Sequence, residues 1–210
     1  MKAPLLTFCL ITWMLFPVVY PGATINPNPF QKKKSQPPIR LIFYNLENTY
    51  DTIDHPYQGD DEFTPDGLRG WDSYRYWQKI RGVYKTVVAA SGWNLADVIG
   101  FCEVEQKQVL KDLIAHTPLS KHPYRIIHKN SPDPRGMDVA AIYHPQRFQL
   151  LSHHYTPLED GGKTIATREI LYMKGIVRGS DTLHLFINHW PSKWQGALVT
   201  QSKRMRAAYT

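Results

Sequence analysis

The order of strand-like and helix-like segments is the feature that most constrains the fold of this chain. Residues 39–48, IRLIFYNLEN, and residues 97–103, DVIGFCE, have the apolar character of strands, and a segment with helical periodicity follows each of them. Several shorter strands and a hairpin come next, before a last helical segment begins near residue 197. Two alternations of strand and helix followed by many strands predict a mixed α/β (α+β) layered domain.

The first 23 residues differ from the rest and are predicted to be a secretory signal. Lys2 precedes an apolar run, residues 5–16, and the small residues Gly22 and Ala23 follow. A membrane anchor is disfavoured, because this run is shorter than the ~20 residues that a bilayer requires. We therefore expect an exported protein that is periplasmic, at the cell surface or extracellular.

Residues 24–38 are rich in Pro, Asn and Lys and are expected to form a flexible tether. The whole chain has a formal net charge of +7. Lys32, Lys33 and Lys34 supply about half of the excess positive charge that would remain after signal cleavage. The charge is therefore a weak argument for a nucleic-acid groove, although it allows a partner that carries phosphate. Residues 39–210 are expected to form one domain.

Three of the predicted strands run an apolar row into a polar residue at their C-terminal ends. Because alternate residues of a strand share a face, the rows are Leu41, Phe43, Asn45 and Glu47; Ile99, Phe101 and Glu103; and Leu185, Ile187 and His189. Each row could simply reach solvent, which is common. Asn and Glu oxygens are, however, the ligands that Mg²⁺ prefers, and a cation would offset the cost of burying the Glu103 charge.

Other chemistries have less support in the sequence. His153 and His154 are adjacent and point to opposite faces of a strand, so they do not form a zinc signature. The sequence contains no G-x-S-x-G, and Cys102 falls in the row opposite Glu103, which favours a small core residue over a nucleophile. Glu105 is given no role, because a helix is expected to start there.

Five segments resemble, in order, motifs of the endonuclease/exonuclease/phosphatase family, the deoxyribonuclease I-like superfamily. They are FYNLEN, ADVIGFCEVE, RGMDVAAIYH, TREILYMKGIV and FINHWPSK. Each segment alone is weak evidence, but all five occur in the family's order, and together they carry the resemblance. The resemblance implies a four-layer αββα sandwich, of which this chain would be the N-terminal part with its C-terminal portion missing.

The resemblance also implies a metal-dependent phosphoester hydrolase with Mg²⁺, or in its place Mn²⁺ or Ca²⁺, as cofactor. It would make Glu103 the principal metal ligand, with Asn45 and Glu47 beside it as ligands or supporting groups. The reaction implied is hydrolysis in which the metal and nearby donors stabilise charge on the phosphoryl group.

For catalysis and substrate binding, the resemblance implies that His189 and Arg168 contact the phosphate, with Asn45 completing the catalytic set. Arg135 and Lys193 are further candidates for substrate binding. The alternatives, a loop arginine and a solvated surface lysine, are equally open.

The family's later motifs, G-D-x-N and a terminal D-H pair, have no counterpart in the 210 residues. The chain is therefore expected to be a fragment of a longer hydrolase, which its end within a helical pattern favours, or a non-catalytic half domain that binds an anionic ligand. The substrate stays open among nucleic acid, a phospholipid headgroup and a small phosphate ester. No stable protein partner is implied.

Overall fold

A computed structural model describes residues 38–56, 58–92, 94–191 and 196–209 of the chain. All of them belong to the compact unit Gln36–Thr210. The predicted signal peptide, all of the predicted tether except its last residue, Pro38, and the candidate residue Lys193 lie outside the described residues.

The described residues form strands and helices in the order that the sequence predicts. In chain order these are β1 (Leu41–Thr49), α1 (Ser73–Ser91), β2 (Val98–Val104), α2 (Lys107–Ala115), β3 (Arg125–His128), β4 (Asp138–Tyr143), β5 (Phe148–Thr156), β6 (Glu159–Asp160), β7 (Lys163–Thr164), β8 (Ile170–Val177), β9 (Asp181–Ile187) and α3 (Gln201–Ala208). The mixed α/β class is confirmed. The two-residue strands β6 and β7 are an addition that the sequence pattern does not predict.

Two larger sheets organise these strands. The first has the order β1-β2-β4-β3, with β1 parallel to β2 and the other pairs antiparallel. The second has the antiparallel order β5-β8-β9. Because β1 and β2 are parallel neighbours, their C-terminal ends lie at the same edge of the first sheet.

Two cores hold the layers together. Helices α1 and α2 cover one face of the first sheet, where Ile80 and Leu110 join a cluster with Ile99 and Phe101. The other face packs on the second sheet, and Cys102 lies in that cluster among apolar residues of both sheets. The described residues thus supply three successive layers, helix, sheet and sheet, and Cys102 is the buried core residue that the sequence predicts.

Local signals explain the length of α1. The Asp72 side chain caps its first turn by accepting a hydrogen bond from Arg75 N at 2.9 Å. At the other end Gly92 has a φ of 66°, in the region that favours glycine. No helix among the described residues combines the length and apolar character needed to cross a membrane.

The apolar row of β1 is exposed, contrary to its predicted core position. Leu41 and Phe43 are 45% and 58% exposed. The reason is the sheet order, in which β1 is the edge strand of the first sheet among the described residues. Together with Phe186 of β9, these side chains line an open groove between the edges of the two sheets.

Candidate active site

Glu103 occupies an irregular position at the end of β2. Its φ is 60°, and the pairing of β2 with β4 shifts register at this point, as at a β-bulge. Strict alternation would place Glu103 beside Ile99 and Phe101, which face the helices. Its carboxylate instead contacts Asn45 and His189. The prediction that Glu103 faces the same way as Ile99 and Phe101 is therefore wrong, because the bulge redirects its side chain.

Three strand ends meet at the Glu103 carboxylate. Its Oε1 accepts a hydrogen bond from Asn45 Nδ2 at 3.2 Å and lies 3.3 Å from His189 Nε2, while Oε2 accepts one from Asn48 N at 2.9 Å. The side chains of Glu103 and His189 are 16% and 18% exposed, so solvent reaches both. The structure thus brings together Asn45, Glu103 and His189, which the sequence predicts as one site.

Glu47 joins this cluster through its backbone. Its N–H donates to Asn45 Oδ1 at 2.8 Å, and its carbonyl accepts from Lys79 Nζ at 3.5 Å. Glu47 and Asn48 have φ values of 53° and 54°, which bend the end of β1 and direct the Asn48 N–H towards Glu103. The Glu47 side chain is exposed, and its role as a metal ligand stays a prediction.

The imidazole of His189 has an environment that favours its neutral form. Burial lowers the pKa of His189 below its usual range, the nearby Arg168 guanidinium lowers it further, and Glu103 acts in the opposite direction. Its Nδ1 is buried and has no hydrogen-bond partner among the described residues. A neutral imidazole next to a carboxylate can donate or accept one proton at near-neutral pH.

Arg168 holds the backbone that carries His189. Its Nη1 pairs with Asp133 Oδ2 at 2.7 Å, while Nε and Nη2 donate to the carbonyl oxygens of His189 and Trp190, each at 3.3 Å. Arg135 shares the same carboxylate, with Nε 3.5 Å from Asp133 Oδ1, and its side chain is about half exposed. Contact of either arginine with a phosphate stays a prediction.

Asp133, and not Asp138 at the start of β4, is the carboxylate that pairs with Arg135. Asp138 starts β4 and could orient Arg135 or cap its strand, but its Oδ1 accepts from Ser131 N at 2.8 Å and its Oδ2 lies 3.0 Å from His128 Nε2. Asp138 therefore does not orient Arg135. Asp133 lies in the loop before β4, where no periodic pattern in the sequence marks it as a functional residue.

A second cluster lies just beyond the ends of β1 and β2. It contains Asp51, His55 and Glu105, whose ligand atoms all lie within 4.8 Å of one another. Burial raises the pKa of Glu105 to about 8; the hydrogen bond from Asp51 N opposes this, while the charges of the Asp51 and Asp60 carboxylates add to it. The helix expected to start at Glu105 begins only at Lys107, and Glu105 is 1% exposed.

Comparison with known proteins identifies the family. A model described as the endonuclease/exonuclease/phosphatase family matches residues 40–210. The chain belongs to the endonuclease/exonuclease/phosphatase family. This match confirms the predicted family. A search of curated proteins gives no match.

Two solved structures support the family fold. Humanized D. rerio TDP2 with 14 mutations aligns with a TM-score of 0.51 and 14% identity over 81% of this chain and 57% of that chain. The human Nocturnin catalytic domain with bound sulfate anion gives a TM-score of 0.51 and 15% identity over 81% and 56%. At these identities the likeness shows the fold alone. The chain spans less than two thirds of either structure.

Within the endonuclease/exonuclease/phosphatase fold of this chain, the predicted motifs fall on strands that converge. FYNLEN lies on β1, ADVIGFCEVE includes β2, and FINHWPSK begins on β9. Their polar residues meet at Glu103, although they come from positions 45, 103 and 189 of the chain. Such an arrangement presents one carboxylate, one amide and one imidazole to a ligand at the rim between two sheets.

Proposed function

We propose that this chain supplies the metal-binding and phosphate-facing part of a Mg²⁺-dependent phosphoesterase, with Mn²⁺ or Ca²⁺ as alternative ions. Its substrate is a phosphoester: nucleic acid, a phospholipid headgroup or a small phosphate ester. The observation that carries the proposal is the contact of Glu103 with both Asn45 and His189. Family membership supports the reaction class.

The residues at Glu103 fit a hard divalent cation. Mg²⁺ commonly keeps several waters and uses only one or two carboxylates, so Glu103 with the exposed Glu47 nearby is a sufficient set. Asn45 adds an amide oxygen when its side chain is rotated away from the Glu47 N–H. When bound, the ion would polarise a phosphoryl oxygen as a Lewis acid.

The protein's own groups have separate tasks in this proposal. A neutral His189 with a proton on Nε2 donates it in a hydrogen bond, to Glu103 at rest and to a phosphate oxygen that gains charge during the reaction. Arg168 is a positioning residue, because its donors already hold Asp133 and the carbonyl oxygens that follow β9. Arg135 has the more accessible guanidinium and can pair with an anionic substrate.

Export by residues 1–23 and completion of the sandwich by a longer chain belong to the same proposal. The order of charge, apolar run and small residues supports export. The exposed Leu41, Phe43 and Phe186 at the sheet edges support additional strands that cover them. Mass analysis of the natural gene product tests both. A product that retains Met1 contradicts cleavage, and one that ends at Thr210 contradicts the longer chain.

The activity test uses the natural gene product with Mg²⁺, Mn²⁺, Ca²⁺ or EDTA against plasmid DNA, bis-p-nitrophenyl phosphate and phosphorylated lipids. We expect metal-dependent turnover that Glu103→Gln abolishes. Asp66→Asn is the matched control, because Asp66 is an exposed loop acid and its substitution removes the same charge. Absence of turnover with every ion and substrate contradicts the proposal, and anion binding without turnover favours the non-catalytic alternative.

A further inference from the structure

Four side chains form a polar cluster that the proposed phosphoesterase site does not use. Asp51, His55 and Asp60 come from the loop after β1, and Glu105 follows β2. Asp51, His55 and Glu105 meet the distance requirement for a shared ion, with their ligand atoms within 4.8 Å of one another. Glu103 is not a member of this group. We call these four residues the loop cluster.

Buried oxygen atoms in the loop cluster lack partners. Glu105 and Asp60 are each 1% exposed, and Glu105 Oε1 and Asp60 Oδ1 have no hydrogen-bond partner among the described residues. Glu105 Oε2 accepts from Asp51 N at 2.6 Å, whereas Oε1 points towards His55, 3.8 Å from its Nε2. Buried carboxylates are normally paired or coordinate a metal. Either a proton shared between Glu105 and Asp60 or a cation bound inside the cluster satisfies these two oxygens.

The spacing of the donors matches a coordination sphere. His55 Nε2 lies 3.4 Å from Asp51 Oδ2 and 3.8 Å from Glu105 Oε1. Two ligand atoms about 2.0–2.2 Å from a tetrahedral ion are roughly 3.3–3.6 Å apart, so small shifts suffice. The amide nitrogen of Gln106 also contacts His55 Nε2. An ion bound at Nε2 would take the position of this amide nitrogen, so the Gln106 side chain must turn away when the ion binds.

We propose that Asp51, His55 and Glu105, with Asp60 beside them, bind one divalent transition-metal ion of the Zn²⁺ or Mn²⁺ type. An imidazole combined with carboxylates suits these ions, whereas Ca²⁺ and Mg²⁺ sites are built from oxygen ligands. The site is separate from the one proposed at Glu103. It does not depend on whether the chain is an enzyme.

The position of the loop cluster gives the ion a structural role. The ion holds the start of the loop against the end of β2, next to residues that contact the turn around Asp133. Gly59 N donates to Pro134 O at 2.9 Å, and Tyr50 OH donates to Arg135 O at 3.2 Å. The ion therefore stabilises, through this loop, the turn whose carboxylate pairs with Arg168.

The test strips the purified protein with EDTA, removes the chelator and titrates Zn²⁺, Mn²⁺, Mg²⁺ and Ca²⁺ by calorimetry, with thermal unfolding measured in parallel. We expect one Zn²⁺ site and a higher melting temperature when it is filled. Because Mn²⁺ is also proposed to bind at Glu103, Zn²⁺ affinity is the readout for the loop cluster. His55→Gln and Glu105→Gln should each weaken this affinity at least about tenfold. Glu103→Gln should leave it unchanged, and Asp66→Asn serves as the surface control.

Two alternatives, an ion at Glu103 and a proton shared within the loop cluster, predict different outcomes of this titration. Equal loss of Zn²⁺ affinity in Glu103→Gln would assign the ion to the other site and overturn the proposal. If Asp60 and Glu105 share a proton instead, Zn²⁺ neither binds nor raises the melting temperature, which also overturns it. His55→Gln keeps the test interpretable if Glu105→Gln fails to fold, because the His55 side chain is 28% exposed and its replacement leaves the core intact.

Discussion

Replacement of Arg168 by methionine tests the claim that this residue holds His189 in place. The Arg168 and Asp133 side chains are only 8% and 4% exposed and pair at 2.7 Å. Arg168→Met keeps much of the apolar stem and removes the charge, which leaves Asp133 buried with Arg135 Nε at 3.5 Å as its remaining cation. Removing one partner of a buried pair costs about 3–5 kcal/mol of unfolding free energy.

The assay is urea unfolding followed by tryptophan fluorescence, with the free energy of unfolding obtained by linear extrapolation. Arg69→Met is the matched control, because Arg69 pairs with Glu62 at 3.2 Å but both side chains are more than half exposed. That exposed pair should contribute less than about 1 kcal/mol. Adding Asp133→Asn to Arg168→Met should recover part of the loss, since the buried charge is then gone.

The reasoning is refuted if Arg168→Met costs no more than Arg69→Met. Such a result would mean that Asp133 is well solvated or fully compensated by Arg135, and that the hydrogen bonds to the carbonyl oxygens of His189 and Trp190 contribute little. A loss that Asp133→Asn does not reduce would also be informative. It would assign the stabilisation to those carbonyl contacts and not to the ion pair.

Three further predictions concern the core between the two sheets and α1. Gly175→Ala should lower the free energy of unfolding in urea by about 1–3 kcal/mol, because the added Cβ would overlap the Phe148 ring. Gly82→Ala, in open space within α1, should instead raise it by up to about 1 kcal/mol. Equal effects of the two substitutions would contradict the packing at Gly175. Burial, and then the Glu103 charge, raises the pKa of Cys102 to about 12, so peptide mapping should find it unmodified by iodoacetamide at mildly alkaline pH until urea is added; rapid native labelling would show an open core. Asp72→Ala should lower the free energy of unfolding by about 1 kcal/mol, while Asp72→Asn preserves the cap; identical losses would assign no role to capping.

The fold was largely predictable because local signals agree with the tertiary structure. Apolar residues at helical spacing identify α1, and Gly92 marks its end. Alternation identifies the hairpin of β8 and β9, whose inward residues reach the core between the sheets. The exposure of Leu41 and Phe43 was not predictable, because the sequence shows alternation but does not state which strand lies at an edge.

The candidate site was predictable where it depends on strand ends and not where it depends on loops. Asn45 and Glu103 lie on parallel neighbouring strands, so their proximity follows from the topology that the resemblance implies. Asp133 comes from a loop 35 residues before Arg168, and only the folded chain shows that the two side chains pair. Asp51 and Glu105 follow the ends of the same two strands and meet there. The sequence pattern predicts a helix start at Glu105 and therefore does not reveal this contact.

The bulge at Glu103 also explains how two glutamates only two positions apart serve different clusters. In a regular strand, residues 103 and 105 would point to the same face, and their charges would repel across a short distance. The positive φ at Glu103 breaks that alternation, so its carboxylate turns to Asn45 and His189. Glu105 keeps its backbone bond to Thr49 and directs its own carboxylate to Asp51 and His55. One backbone irregularity therefore separates a solvent-accessible carboxylate, at the proposed catalytic metal site, from an enclosed one in the loop cluster.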